Sequence, residues 1–262
     1  MTSLAFAGDR QVAVDCLAIL LDAGVKLEAL MISSPLRATH ADVLRGMSGL
    51  DSDRILIGKQ FRERASIELL RSLDLDYIVG VHFPYIVPEA ILEIPRVGAL
   101  NLHPALLPHN RGWHPSSWAI LDGTPIGATL HFMDTGVDTG DIVSQSELEI
   151  RPEDTAHTLY ARLLDLEVEL FRAAWPSLAS GHPLRTTQSP EVGANHNRLD
   201  LASDSVSRLD LEATIPVKDV LKTLRALTTN DLGEAAYFEQ NGRQYRVQIT
   251  ITPDDQQEGP TT

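Results

Sequence analysis

Cysteine is almost absent from the 262-residue chain: Cys16 stands alone, so neither an internal disulfide nor a thiolate metal cluster can form. That usage fits a reducing compartment. Long apolar runs are missing too, the longest being Cys16 to Leu21, far short of the ~18 residues a membrane span needs. No basic region precedes Leu4 and no cleavage pattern follows, so no signal peptide is expected and the protein reads as cytoplasmic. Basic residues are scarce, 22 against 36 acidic ones for a net charge of −14. This charge opposes binding to a phosphate backbone, and no local basic patch offsets it, so neither a nucleic acid nor a membrane is expected as partner. Gly8 is followed by Asp9-Arg10-Gln11 rather than a Gly-x-Gly-x-x-Gly loop, and no Gly-x-x-x-x-Gly-Lys-Ser/Thr loop occurs. Nicotinamide, flavin and ATP chemistry through those loops is therefore not expected.

What is present is an alternation of strand-like and helix-like stretches. Leu4 to Ala7, Leu27 to Ile32, Arg54 to Ile57, Tyr77 to Val81 and Gly98 to Leu102 read as strands. Between them, Val12 to Leu21 and Phe61 to Leu73 carry apolar residues about one turn apart, and Pro88 opens a short helix over Glu89 to Leu92. Near-continuous apolar strands separated by helices predict an α/β fold, a mostly parallel Rossmann-like sheet with helices on both faces. After about residue 125 the pattern changes. Ile126 to Met133 and Ile142 to Ile150 read as longer strands, Thr155 to Ser180 as a long amphipathic helix, and Val217 to Thr228 as another. Asn241-Gly242, flanked by Ala235 to Glu239 and Arg243 to Thr250, is a strong hairpin signal. The expected organisation is a catalytic domain over 1–180, a connector over 181–207, a small C-terminal helix and β-hairpin over 208–251, and a disordered tail over 252–262.

Two segments carry the chemistry. Asn101 and His103 lie two apart at the end of a sheet strand, so their side chains point to one side, beyond the strand ends where ligands of such sheets sit. An amide there can donate to a developing oxyanion, and an imidazole is the usual acid or base near neutral pH. On spacing alone, Asn101 closing a turn and His103 packing in the core explain the pair equally. The stretch Asp134 to Asp141 is a Gly-rich loop holding Asp134, Asp138 and Asp141, any of which can orient an imidazole or carry a proton; turn chemistry alone also accounts for it. It lacks the acidic spacing of a calcium loop. His103, His109 and His114 match no zinc ligand spacing, and no metal site is expected.

Together these segments resemble the folate-dependent formyltransferase family, closest to its nucleotide-sugar N-formyltransferases. The resemblance rests on Asn101-Leu102-His103-Pro104-Ala105-Leu106-Leu107-Pro108 and an Asp-Thr-Gly loop that places Asp138 35 residues after His103. It continues through Arg111-Gly112, Trp118 to Gly123, Gly127 to His131 and Asp141-Ile142. It implies Asn101, His103 and Asp138 as catalytic residues and 10-formyltetrahydrofolate as formyl donor. It further implies that Phe83, Tyr85, Ile86 and Val87, with Asp134 and Asp141, contact the donor, and that Leu107-Pro108 is a cis peptide. Arg111, Trp113 and His114 are candidates for the acceptor side: Arg111 either clamps a substrate phosphate or pairs with a loop carboxylate, and Trp113 either packs or stacks on a sugar. His82 and Cys16 read as structural.

The acceptor must be a primary amine. Residues 201–262 hold six basic and ten acidic residues, unlike the larger basic C-terminal barrel with which methionyl-tRNA enzymes of the family hold RNA. The phosphate loop of the glycinamide ribonucleotide enzymes is not recognisable near the N-terminus. The Asn110-Arg111-Gly112-x-His114-Pro115 run and the Asp122 to Pro125 turn point instead to an amino-dideoxy sugar linked to a nucleotide, such as dTDP-4-amino-4,6-dideoxyglucose. A non-catalytic folate-binding protein on the same fold is the alternative from another class. A homodimer is expected through the hairpin, whose Tyr237, Tyr245, Val247 and Ile249 give it an apolar face; packing onto its own catalytic domain would satisfy that face equally well.

Overall fold

The computed structural model of the chain describes residues 1–189 and 193–254. The first half runs β1 (Ser3–Gly8), α1 (Arg10–Asp22), β2 (Lys26–Ile32), α2 (Ala41–Ser48), β3 (Ile55–Ile57), α3 (Arg64–Ser72), β4 (Tyr77–Val81), α4 (Glu89–Leu92) and β5 (Gly98–His103). Then come β6 (Arg111–Gly112), α5 (Pro115–Asp122), β7 (Ile126–Phe132), β8 (Ile142–Leu148) and α6 (Ala156–Ala179). The chain continues through β9 (Asn195–His196), α7 (Asp204–Ser207), α8 (Val217–Ala226), β10 (Ala236–Gln240) and β11 (Arg243–Val247).

Seven strands form one sheet in the order β3-β2-β1-β4-β5-β7-β8. Pairing is parallel from β3 to β5 and antiparallel at β5–β7 and β7–β8. The period-two alternation of a strand sets the two faces. Leu4 and Phe6 of β1 pack under α1, α2 and α6, whereas Ala5 and Ala7 pack under α3 and α4. This is the mostly parallel, doubly covered sheet that the sequence predicts.

Local chemistry fixes the helix ends. The Asp9 side chain accepts from the Arg10 amide at the start of α1, and Gly24, at φ +72°, turns the chain out after it. Thr155 and Thr158 bond reciprocally at the start of α6. The stretch Phe61 to Leu73 is not one helix: Gln60–Arg62 makes a 3₁₀ turn and α3 starts only at Arg64. Three helices had no sequence signal strong enough to read. Of α2 only Leu44 is buried, α5 follows directly on a Pro-rich stretch, and α7 is a single turn of four residues.

The stretch 181–207 runs back over the sheet: Thr186 bridges Ile142 at the β8 edge, and β9 pairs in parallel with β6. Beyond it, α8 packs on α5, and Leu201, Leu227 and Ala236 share a small core with Trp118 and Leu121. The hairpin β10–β11 forms where Asn241-Gly242 places it. Its Tyr237 turns inward and donates to Asp204 at 2.7 Å, while Tyr245 stays exposed. Of the tail expected to be disordered, residues 255–262 lie outside the described residues.

Candidate active site

The chain leaves β1 toward β2 and β3, then returns to the other side of β1 as β4 and β5. Such a reversal opens a crevice at the carboxyl ends of the strands. A cleft of about 800 Å³ lies there, lined by residues at the ends of β1, β4 and β5 and by the loop after β7.

Asn101 and His103 enter it from β5. The antiparallel register sets His131 of β7 directly opposite Asn101, and a register shift between Leu130 and His131 falls at that point. His131 Nδ1 lies 2.7 Å from the Phe132 carbonyl oxygen, and its Nε2 lies 3.2 Å from Asn101 Nδ2. Asp138 completes the group. Its Oδ1 lies 3.4 Å from Asn101 Nδ2 and 3.6 Å from His131 Nε2; its Oδ2 accepts from the Gly112 amide at 2.9 Å and lies 3.6 Å from His103 Nε2.

Burial governs the charges. It pushes the His103 pKa below the ordinary value of 6.5; the Asp138 carboxylate pulls the other way without cancelling it, so the ring is neutral at pH 7. Burial also raises the Asp138 carboxyl, but His103, His131 and the Gly112 amide outweigh it and hold the group ionised, well below the usual carboxylate range. The site therefore pairs a neutral base with a fixed anion.

Backbone constraints set this geometry. Asp138 sits at φ +53°, a left-handed conformation that a non-glycine residue rarely adopts. Asp134 stiffens the loop by accepting from the Gly136 amide at 3.0 Å and the Thr139 hydroxyl at 2.6 Å. Gly112, at φ +86°, lies so close to the His196 carbonyl oxygen that a Cβ there would overlap it.

On the opposite wall Phe83 and Tyr85 meet edge to face with centroids 5.1 Å apart, and Tyr85 Oη accepts from the Ser34 amide at 3.3 Å. Ile86 is 78% exposed, and Val87 also lines the cleft. Trp113 and His114 stand at the mouth, with the Arg198 guanidinium 5.4 Å from the Trp113 ring. Arg10 donates to Tyr160 Oη at 2.7 Å, next to the His82–Glu167 pair at 2.7 Å. Arg37 also lines this wall.

Two expected site residues lie elsewhere. Arg111 is only 8% exposed and off the cleft lining; it donates to Gln188 Oε1 at 2.8 and 3.3 Å, and so is neither an open phosphate clamp nor the partner of a loop carboxylate. Asp141 is also off the lining: it immediately precedes β8, and its carbonyl accepts from the Phe132 amide at 2.8 Å. Sequence reasoning missed His131, whose place opposite Asn101 follows only from the strand register. It also missed Gln188, which sits in a polar stretch without periodicity. Leu107–Pro108 is cis, as the family resemblance implies. Among the described residues no three His, Cys, Asp or Glu side chains are grouped to hold a metal ion, and no helix is long and apolar enough to cross a membrane.

An amide, a neutral imidazole and an ionised carboxylate at the strand ends of an α/β sheet are an arrangement suited to acyl transfer. The family model described as formyl transferase matches residues 47–174, and the one described as N-formyltransferase dimerization C-terminal domain matches residues 203–253. The chain is 33% identical to the dTDP-4-amino-4,6-dideoxyglucose formyltransferase of Mycobacterium tuberculosis (strain ATCC 25618 / H37Rv) over 179 residues, covering 68% of this chain and 74% of that one. A 4-N formyltransferase from Francisella tularensis shares the fold, with a TM-score of 0.81 at 22% identity over 96% of this chain and 98% of that one. The formyltransferase PseJ from Anoxybacillus kamchatkensis, solved with UDP-4,6-dideoxy-4-formamido-L-AltNAc and tetrahydrofolate, has a TM-score of 0.56 at 26% identity over 76% of this chain and 87% of that one. The chain belongs to the formyl transferase family and is a formyltransferase.

Proposed function

We propose that the enzyme moves the formyl group of 10-formyltetrahydrofolate to the amine of an amino-dideoxy sugar carried on a nucleotide, with dTDP-4-amino-4,6-dideoxyglucose as the first candidate acceptor. The observation that carries the transfer chemistry is the meeting of Asn101, His103 and Asp138 in the cleft. The curated relative's acceptor, and a C-terminal segment too acidic for RNA, direct the choice of amine.

In this reading the donor's flat ring lies along Phe83, Tyr85, Ile86 and Val87, beside Asp134. The apolar, partly exposed wall and its edge-to-face aromatic pair fit such a ring. As the amine attacks the formyl carbon, a C–N bond forms and charge grows on the formyl oxygen, which the Asn101 amide stabilises. Neutral His103 takes the proton that the nitrogen releases. Asp138 holds the resulting imidazolium, and His103 returns the proton to the departing folate nitrogen as its bond to carbon breaks. With the Arg111 guanidinium buried, Arg10, Arg37 and Arg198 are the cleft cations left to meet the diphosphate, and Trp113 and His114 border the sugar.

Residues 1–180 then perform catalysis, 181–207 connect, and 208–251 serve assembly as a homodimer. Leu211, Ile215 and Val217 are exposed in the segment matched by the dimerization model, an apolar surface for a second copy. A cytoplasmic setting goes with the free, buried thiol of Cys16. Light scattering at micromolar concentration is expected to give twice the chain mass, and a monomer mass overturns the dimer. For the activity, purified enzyme is given 10-formyltetrahydrofolate and a panel of amino-sugar nucleotides. Gain of one formyl group by a sugar nucleotide is expected, whereas formylation of glycinamide ribonucleotide alone overturns the reading.

A further inference from the structure

We propose that Gln188 is a positioning residue for Asp138, held in place by Arg111; this rests on Asp138 acting in formyl transfer. Gln188 Nε2 donates to the Asp138 carbonyl at 2.9 Å and to the Gly140 carbonyl at 2.7 Å. Its Oε1 accepts both contacts from the Arg111 guanidinium. Donor and acceptor inventory permits only this amide orientation, since the guanidinium can only donate and the two carbonyls can only accept. Gln188 and Arg111 are 7% and 8% exposed, so water does not compete for these bonds.

The clamp acts where the loop is hardest to hold. Asp138 is in the left-handed region, and from that backbone conformation its carboxylate reaches both His103 and Gly112. Arg111 and Gly112 are consecutive in β6, so one two-residue strand supports the Asp138 backbone through Gln188 and its carboxylate through the Gly112 amide. The strand is itself braced by β9. The segment that follows α6 thus supplies the side chain that fixes the catalytic loop, although no cleft-lining position belongs to Gln188.

Two variants test this. Gln188→Glu keeps an acceptor for Arg111 but turns an oxygen toward two carbonyl oxygens. Gln188→Met removes all four bonds at similar volume. Steady-state kinetics with donor and acceptor are measured for both, for Asp138→Asn and for the Asp138→Asn/Gln188→Glu pair, with melting temperatures alongside. Displacing a catalytic group by about 1 Å costs up to about a hundredfold, so kcat of each Gln188 variant is expected to fall by about tenfold to a hundredfold. Both KM values should stay within about threefold, the signature of a loss felt only in the transition state. The double variant should be no more than about twofold slower than Asp138→Asn, because the two act through one group. Melting temperatures serve only to show that the kinetics come from folded enzyme, and a Gln188→Glu chain that does not fold leaves Gln188→Met to decide. Normal kcat in the folded Gln188 variants beside a crippled Asp138→Asn overturns the proposal alone, as does a multiplicative loss in the double variant. Normal turnover by Asp138→Asn overturns the catalytic role of Asp138 and the proposal with it.

Discussion

Two stretches of this chain meet at one aspartate and could hardly differ more as sequence. Residues 98–141 are dense in recognisable chemistry: an Asn and a His two apart at a strand end, then a loop of glycines and aspartates. Residues 181–196 are polar, weakly patterned and read as a connector. Yet Asp138 is held by both, through its contacts with His103 and Asn101 on one side and through Gln188 on the other. The first stretch carries the groups proposed to react; the second bonds the backbone of the loop that presents Asp138.

The comparison is broken most forcefully at the groups proposed to react. His103→Ala and Asp138→Asn are each expected to lower kcat by roughly two to four orders of magnitude, the span of lost acid–base help, with the fold retained by circular dichroism. Near-normal turnover in either would remove the distinction between the two stretches.

Gly112→Ala attacks the seam between them. Its Cβ would press on the His196 carbonyl from a left-handed backbone, so β6 and β9 must part. We expect a loss of ~1–3 kcal/mol of stability, read by denaturant titration, together with reduced kcat because the Gly112 amide leaves Asp138. Unchanged stability would mean the seam carries no strain.

The smallest expected effect is in pH dependence, and it sharpens the electrostatics. Because burial lowers the His103 pKa, a neutral base persists below pH 6.5, and the acidic limb of kcat/KM should fall below that value. Removing the Asp138 charge takes away an attraction that favours the protonated ring. The residual activity of Asp138→Asn should therefore show its acidic limb at still lower pH. A limb that moves upward would assign the titration to another group.

The split also explains what could be read before the structure. The sheet was legible because its strands are buried on both faces and appear as apolar runs; Asn101, His103 and Asp138 were legible because family spacing brings them together. His131 was not, since only the antiparallel β5–β7 register sets it opposite Asn101. Arg111 was legible as a charged residue beside the site but not as a buried one, because its partner lies 77 residues away in a segment with no periodic signal. Residues that touch substrate leave motifs, whereas a side chain that satisfies backbone carbonyls leaves a single polar letter.

The central claim is that this cleft formylates a sugar amine with the His103–Asp138 pair. The most direct measurement is mass spectrometry of dTDP-4-amino-4,6-dideoxyglucose incubated with 10-formyltetrahydrofolate and either wild-type or Asp138→Asn enzyme. The account predicts one added formyl group with the wild type and little or none with the variant over the same interval. Equal product from both enzymes, or none from the wild type on this or any other amino-sugar nucleotide, would contradict it.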